Sequence, residues 1–241
     1  MDLNAPHPHS VSPRGLTAAG WFAFFIAGSI FLAIAWSVAS RAPLISIDAK
    51  VAAWLHQHAT PTLTLFLLGV THANSTVGVA AYALLFAAVL AKLREWYWIL
   101  TLGLAVGGGA ILNLLLKFAY ERARPHFDDP MVTLDSFSFP SGHTAGAVTF
   151  YGVVAAFLVS RTYGAGLRAA WIAGAVFAVM LVAFSRMYLG AHYLSDVVAA
   201  ACSSTVWLVL CLHTVHGWVR RQMAKKGGTS DAGRKAVVPT H

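Results

Sequence analysis

The chain has 241 residues, of which 58% are hydrophobic and only 11% are charged. This composition leaves too little polar surface for a soluble globular enzyme of this length. The 17 Lys and Arg residues exceed the 9 Asp and Glu residues, for a formal net charge of +8. Because these charges punctuate apolar runs instead of crowding one polar face, they do not indicate a nucleic-acid binder. The composition predicts a protein embedded in a lipid bilayer.

Six apolar segments reach or approach the length of about 20 residues that a helix needs to cross the hydrocarbon core of a bilayer. The first is too long for the apolar core of a signal peptide, which has about 7 to 15 residues. The second is interrupted by polar residues, so we expect it to start near Ser75. The sequence therefore predicts an all-α polytopic membrane protein with six transmembrane helices between residues 16 and 218. The segments are Leu16 to Ser40, Val70 to Leu90, Trp96 to Leu116, Thr144 to Val159, Ala169 to Tyr188 and Leu194 to Trp218.

Three regions lie outside these spans. Between the first two spans, Ile47 to Leu68 mixes polar residues such as Asp48 with apolar ones, which predicts a pair of short amphipathic helices on the membrane surface. Residues 1–15 and the basic tail 219–241 show no apolar periodicity, so both are predicted to be disordered.

The two cysteines, Cys202 and Cys211, fall in the last apolar segment. On one helix their backbones lie roughly 13 Å apart, at 1.5 Å per residue. A disulfide cannot bridge that distance. We interpret both as small apolar packing residues.

The loop charges predict an orientation, because six spans put both termini on one side. Eleven of the 17 Lys and Arg residues fall on the side of the termini and six on the other. By the positive-inside rule the termini face the cytoplasm. Four of the six outer cations stand in two short segments, where topology alone disfavours them. They are Lys117, Arg122, Arg124 and Arg186.

Three polar segments emerge on that outer face, and we expect them to form a single pocket. Ionisable residues at membrane depth are functional candidates, although helix pairing is the simpler alternative. Taken singly, Lys117 and Arg124 also fit headgroup snorkelling. The first segment holds Lys117, Arg122 and Arg124-Pro125, the second is Pro140-Ser141-Gly142-His143, and the third holds Ser185-Arg186, His192 and Asp196.

The chemistry that such a pocket suits is phosphoryl transfer. Lys117, Arg124 and Arg186 can surround the three equatorial oxygens of a phosphoryl group, where negative charge must be stabilised. The segment Pro140 to His143 has the features of a helix start. Free backbone N–H groups and the helix dipole favour an anion there, and Gly142 permits close approach.

The two histidines of the pocket suit nucleophilic and acid catalysis. His192 and Asp196 share one helix face, so the carboxylate can orient one ring nitrogen and leave the other free to attack phosphorus. His143, in the opposite segment, can protonate the leaving oxygen. A structural pair or a metal site is the alternative for His192 and Asp196. The metal site lacks a clear third ligand, and three nearby cations would repel a metal.

The spacing of these residues resembles, position for position, the three-part signature of the type 2 phosphatidic acid phosphatase family. Six residues separate Lys117 from Arg124-Pro125, five separate Arg186 from His192, and three separate His192 from Asp196. The motif Pro-Ser-Gly-His lies between the first and third parts. Six spans with a surface helix after the first resemble the bacterial membrane members over most of the chain.

The resemblance implies a role for each matching residue and requires no metal or other cofactor. It implies that His192 forms a phosphohistidine that water hydrolyses, that Asp196 orients His192, and that His143 is the general acid. Arg122 fits a common extra basic position, but Glu121 stands where many members have glycine. We expect Glu121 either to tune Arg122 or to discriminate headgroups. The residues implied to hold the phosphate are Lys117, Arg124, Ser141, Gly142 and Arg186.

The resemblance implies a lipid phosphate phosphatase with the bilayer and a lipid phosphate as its partners, and the sequence indicates no obligate protein partner. The implied substrates are undecaprenyl diphosphate, phosphatidylglycerol phosphate and phosphatidate, and an outer-face site favours recycling of the carrier lipid. A lipid phosphotransferase using the same phosphohistidine is one alternative. A transporter is another, since broken helices and intramembrane charges also mark transporters. Vanadate-dependent haloperoxidases share the signature but are soluble.

Overall fold

The computed structural model describes residues 18–40 and 44–235, and the described residues fold into nine α-helices without a β-strand. A π-helical segment, Leu104–Gly108, joins the fifth and sixth helices. The predicted disorder of residues 1–15 lies outside the described residues. The helices are α1 (Ala18–Ala39), α2 (Leu44–Gln57), α3 (Pro61–Ala73), α4 (Thr76–Lys92), α5 (Trp96–Gly103), α6 (Gly109–Tyr120), α7 (Gly142–Ser160), α8 (Ala165–Tyr188) and α9 (Leu194–Lys235).

The helices confirm the predicted all-α polytopic membrane architecture. Five segments are long and apolar enough to cross a membrane, and α3 with α4 forms a bent pair that brings the number to six if it counts as one span. The direction of the chain bends by 53° between the two helices of the pair. The other segments are Ala18–Ala39, Trp96–Tyr120, Gly142–Ser160, Ala165–Tyr188 and Leu194–Val219.

Helix α7 lies at the centre of the bundle, where it packs against α4, α5, α6, α8 and α9. Half of its apolar window is buried, compared with 11% for α8 and 17% for α1. Large apolar side chains of the outer helices, such as Phe22 and Phe177, are exposed on the bundle surface. In a soluble protein this much apolar exposure would drive association, whereas in a bilayer lipid tails cover it.

The end of the bundle remote from the three polar segments has an apolar core. Trp98, Val153 and Phe157 are buried there among neighbouring side chains of α4, α5, α7 and α9. The π-helical segment adapts α5 and α6 to this core, since the Trp207 indole N–H donates to the Leu104 carbonyl oxygen at 3.0 Å. A Cβ at Gly108 would lie 2.5 Å from the Trp207 ring, so glycine permits this close approach.

Helices α2 and α3 occupy the region predicted as a surface pair. Helix α3 extends to Ala73, five residues beyond the predicted limit at Leu68. Asp48, Ala52 and Leu55 are buried on one face of α2, whereas Trp54 is exposed. These buried positions are spaced by four and three residues, as one helix face requires. The face that α2 turns to the bundle therefore carries a carboxylate.

The tail differs from the sequence prediction. We predicted disorder from residue 219, but α9 continues without interruption to Lys235. Extending an existing helix adds one hydrogen bond for each residue that becomes ordered, so a helix propagates more easily than it begins. The two cysteines are free thiols, as their spacing predicts.

Candidate active site

The three polar segments converge at one end of the bundle. Lys117 is in the last turn of α6, and Arg124 follows in the loop to α7. Ser141 is the N-cap of α7, Arg186 lies in the last turn of α8, and Asp196 lies in the first turn of α9. The Ser141 backbone N–H donates to the Asp196 carbonyl oxygen at 3.2 Å, which joins the second and third segments directly.

His192 lies in the short turn between α8 and α9 and is only 2% exposed. Gly190, two residues earlier, has φ +69°, a left-handed conformation that glycine adopts without strain. Burial lowers the pKa of His192 to about 4, although the Asp196 carboxylate opposes the shift. The imidazole is therefore neutral at pH 7.

The two nitrogens of the His192 ring have different surroundings. Nε2 lies 3.2 Å from a guanidinium nitrogen of Arg124. Because a guanidinium can only donate, Nε2 is the acceptor and the ring proton is on Nδ1. Nδ1 lies 3.5 Å from Asp196 Oδ2 and has no hydrogen-bond partner among the described residues. His192 and Asp196 are thus adjacent, but their contact is longer than a normal hydrogen bond.

Asp196 is fully buried and accepts hydrogen bonds at both oxygens. Oδ1 accepts from Arg122 at 2.7 Å. Oδ2 accepts from the Ser138 hydroxyl and from the Tyr193 backbone N–H, the latter at 2.9 Å. These bonds to Oδ2 explain why the carboxylate stays at 3.5 Å from His192, since two nearer donors already hold that oxygen.

Arg124 connects the loop to the His192 turn. Its guanidinium donates to the carbonyl oxygens of Ser136 and Ala191, each at 2.6 Å, and to the Ser136 hydroxyl at 2.9 Å. Lys117 donates to the carbonyl oxygen of Phe137, which Arg124 also contacts. Both cations are therefore held by neutral backbone and hydroxyl groups.

Arg186 is a buried cation, 3% exposed, at the end of α8. One guanidinium nitrogen donates to the Thr71 hydroxyl at 2.5 Å, and Nε is buried without a hydrogen-bond partner among the described residues. Among the ion pairs of residues 18–40 and 44–235, none involves Arg186, Arg124 or Lys117. Three cations without an acidic partner thus surround the site.

The start of α7 has the predicted form. Ser141 is the N-cap, and its hydroxyl oxygen accepts from the Thr144 hydroxyl at 3.1 Å. Gly142 is exposed, and a Cβ at this position would lie 3.4 Å from Asn113 Oδ1. The first backbone N–H groups of a helix have no acceptor within the helix. Those of Gly142 and His143 are therefore available to an anion.

His143 follows in the first turn of α7 and is half-buried. The guanidinium charges of Arg186 and Arg124 act on its ring, so it belongs to the same cluster. Among residues 18–40 and 44–235, no three His, Cys, Asp or Glu side chains are grouped to hold a metal ion. The polar groups of this cluster therefore suit an anion better than a cation.

Arg122 differs from the other cations because it is paired twice. Its guanidinium donates to Asp196 and to Asp48, each at 2.7 Å, and to the Ser195 hydroxyl at 2.7 Å. The expectation that Glu121 tunes Arg122 is not supported, since the acidic partners of Arg122 are Asp48 and Asp196. Glu121 is exposed and has φ +43°, a left-handed conformation that glycine adopts without strain.

Several residues of the site were not predicted from the sequence. Asn113, four residues before Lys117, shares its face of α6, and a buried amide in an apolar span is a signal that can be recognised. Thr71 and Ser138 gave no signal, because small hydroxyl residues are common at helix ends. Asp48 lies 74 residues from Arg122, too far apart in sequence for any spacing rule.

The fold and the site together define a membrane-embedded phosphatase. Residues 96–220 match the model of the PAP2 superfamily, and this match covers more than half of the chain. The chain therefore belongs to the PAP2 superfamily, the type 2 phosphatidic acid phosphatases, and is a phosphoric ester hydrolase.

Individual relatives agree with this assignment. Phosphatidylglycerophosphatase B of Bacillus subtilis is 36% identical over 139 residues, covering 57% of this chain and 68% of the relative. Decaprenylphosphoryl-5-phosphoribose phosphatase of Mycobacterium tuberculosis is 31% identical over 72% of this chain and 93% of its own length. The crystal structure of a transmembrane PAP2-type phosphatidylglycerolphosphate phosphatase from Bacillus subtilis superimposes with a TM-score of 0.73 at 28% identity, covering 83% of this chain and 97% of that one.

Proposed function

We propose that the protein hydrolyses membrane lipid phosphates or diphosphates through a phosphohistidine formed on His192 Nε2. The observation that carries the proposal is the set of three cations without acidic partners, Lys117, Arg124 and Arg186, around a buried neutral histidine. Burying a charge without a partner is unfavourable. A site that keeps one buried and two half-buried cations without acidic partners is suited to a ligand that brings negative charge.

The tautomer of His192 supports Nε2 as the nucleophile. With the proton on Nδ1, the Nε2 lone pair faces Arg124, one of the three cations, while Nδ1–H faces Asp196 at 3.5 Å. Negative charge beside the Nδ1 proton stabilises the ring as it becomes positive during attack. Asp196 therefore acts on orientation and charge and does not contact the substrate.

The reaction proceeds in two displacements. His192 Nε2 attacks phosphorus, the bond from phosphorus to the leaving oxygen breaks, and His143 gives a proton to that oxygen. Water then attacks the phosphohistidine, His143 takes the proton from the water, and the N–P bond breaks to release inorganic phosphate. The phosphate is held by the same groups in both steps. Lys117, Arg124 and Arg186 stabilise the charge on the equatorial oxygens. Ser141 and the backbone N–H of Gly142 bind the same phosphate. The three cations supply the charge that a metal would otherwise provide.

Substrates that keep an apolar tail in the bilayer suit this site, because it opens at one end of a helix bundle with an apolar surface. The two relatives are named for lipid substrates, a phosphatidylglycerophosphate and a decaprenyl-linked phosphoribose phosphate. Undecaprenyl diphosphate, phosphatidylglycerol phosphate and phosphatidate are therefore the candidates. By the positive-inside rule, the termini face the cytoplasm and the site faces outward. This orientation favours recycling of a carrier lipid left on the outer leaflet.

The test is phosphate release from each candidate lipid by purified protein in EDTA. Wild-type protein is compared with His192→Ala and with His58→Ala, a matched control because His58 is exposed beyond the end of α2. We expect release by the wild type and by His58→Ala and none by His192→Ala. Release by His192→Ala equal to that of the wild type would exclude the nucleophile. Transfer of phosphate to an added lipid or sugar, in place of release, would indicate a phosphotransferase.

Two further measurements test the geometry and the orientation. Orthovanadate should inhibit at millimolar concentration or below, because it adopts the trigonal-bipyramidal form of the transition state. A cysteine placed at Asp128, in the loop before α7, should react with a membrane-impermeant maleimide in intact cells. Protection of that cysteine until the cells are opened would place the site on the cytoplasmic face.

A further inference from the structure

Asp48 is a buried carboxylate bound to the active-site cluster from a different part of the chain. It is 1% exposed on the inner face of α2. Its Oδ1 accepts the Ser195 backbone N–H at 2.9 Å, and its Oδ2 accepts from the Ser195 hydroxyl and from Arg122. Asp48 also lies outside residues 96–220, which match the family model.

Both terminal nitrogens of the Arg122 guanidinium and one face of its plane have partners in this arrangement. One of its terminal nitrogens donates to Asp196 and to Ser195, the other donates to Asp48, and the guanidinium carbon lies 4.4 Å above the ring of Tyr193. A planar guanidinium can bridge two carboxylates with fixed geometry, which a lysine ammonium cannot do. Arg122 would have to break two ion pairs to reach a phosphate.

The carboxylate of Asp196 depends on this cation. Asp196 is fully buried, and its other partners are Ser138, the Tyr193 backbone N–H and the neutral ring of His192. Arg122 supplies the positive charge that pairs with it. Without Asp48, that guanidinium would lose one of the two carboxylates that fix its orientation, and Asp196 would lose its fixed position.

We propose that Asp48 and Arg122 are positioning residues, through which α2 holds the Asp196 carboxylate against His192. The inference rests on the proposed function, because its consequence is the reactivity of His192. Helix α2 thus contributes to turnover although it carries no residue that touches the substrate.

The test compares Asp48→Asn with Asp129→Asn, using phosphate release and inhibition by orthovanadate. Asp129 is a matched acidic control, because it also tethers α2, through His56 at 2.8 Å, but does not contact Asp196. Small displacements of catalytic groups reduce rates by up to about 100-fold, so we expect kcat of Asp48→Asn to fall about 10- to 100-fold. We expect KM and the vanadate inhibition constant to stay within about twofold, because no phosphate ligand changes.

The KM and kcat values separate positioning from a merely structural role. Asp129→Asn should keep kcat within about threefold, since surface substitutions have small effects. Unchanged kcat in Asp48→Asn would overturn the inference. A rise of KM and of the vanadate inhibition constant with unchanged kcat would also overturn it, because Arg122 would then act on phosphate. If both acidic variants lose kcat equally, only the docking of α2 matters and the inference fails.

A second variant covers the case in which Asp48→Asn does not give a monodisperse protein. Arg122→Lys keeps the positive charge but cannot bridge both carboxylates, so the same loss of kcat at constant KM is expected. Normal kcat in Arg122→Lys would overturn the inference. Failure of the proposed function is recognised separately, because then the wild type releases no phosphate or His192→Ala retains activity.

Discussion

Two groups of cations stand within a few residues of each other at the same end of the bundle, yet their surroundings are opposite. Arg122 bridges Asp48 and Asp196, each at 2.7 Å. Arg124, two residues later, has carbonyl, hydroxyl and imidazole partners, and Arg186 has a threonine hydroxyl. The residue type therefore does not determine the role of a cation here. The role depends on whether a carboxylate is in contact with the cation. This divides the cluster into a paired part, which is Arg122 with Asp48 and Asp196, and an anion-binding part, which is Lys117, Arg124 and Arg186.

The largest effect should come from the carboxylate that joins the two parts. In Asp196→Asn the charge that stabilises the attacking imidazole is lost, so we expect turnover to fall by about 10³- to 10⁴-fold. The inhibition constant of vanadate should change little, because the three anion-binding cations remain. Single-turnover kinetics measure the turnover of Asp196→Asn, with wild-type protein as the control. Normal turnover would remove Asp196 from the mechanism.

The paired part should dominate stability. Arg122→Ala leaves two buried carboxylates without their cation, so the free energy of unfolding should fall by about 3–5 kcal/mol. Detergent denaturation followed by circular dichroism measures this change. The doubly substituted protein, Asp48→Asn with Arg122→Ala, should lose less than the sum of the two single losses. Additive losses would show that the two residues are not coupled.

The anion-binding part should dominate activity and leave stability unaffected. In Arg186→Gln, kcat/KM should fall by about 10²- to 10³-fold, because one donor to the developing charge is lost. The free energy of unfolding should stay constant or rise, since the buried guanidinium has no acidic partner. The same detergent denaturation applies. A large loss of stability would mean that Arg186 has a structural partner.

The pH dependence should report His192. Its pKa of about 4 lies below the ordinary value of 6.5 because the ring is buried. Since attack requires the neutral ring, kcat/KM should stay level down to about pH 5 and fall as the pH passes through about 4. Between these two pKa values the unfolded chain binds more protons, so stability should also fall as pH drops from 6.5 to about 4. His192→Gln should lack this part of the stability change.

The smallest effect concerns Glu121 in its left-handed conformation. Glu121→Gly should raise the free energy of unfolding by up to about 1 kcal/mol, because glycine adopts positive φ without strain. Arg94→Gly is the matched control, since Arg94 has φ +57° and lies in the loop between α4 and α5. Activity should change in neither variant. A change in preference among lipids in Glu121→Gly alone would show that this carboxylate contacts the headgroup.

Much of the fold and of the site could be predicted, because short-range patterns in the sequence indicate both. Runs of apolar residues predict the spans. The shared helix face predicted for His192 and Asp196 is wrong, because His192 lies in the turn before α9, although the two side chains are adjacent. Predictions failed where a distant contact decides the outcome. The bend between α3 and α4 could not be predicted. The polar residues at 71–76 interrupt two apolar segments, but their composition does not determine the angle between the helices. The continuation of α9 to Lys235 was missed because composition alone does not show where a helix ends.

The sequence by itself determined the solvent of this protein and the chemistry it can offer. Its composition requires a bilayer, and the order of its polar segments brings cations, histidines and a carboxylate to one face. Only the tertiary structure decided which cation is paired. Asp48 meets Arg122 across 74 residues because α2 packs against α8 and α9, and no local spacing encodes that contact. Charges act through space, so the roles of identical side chains are assigned by packing.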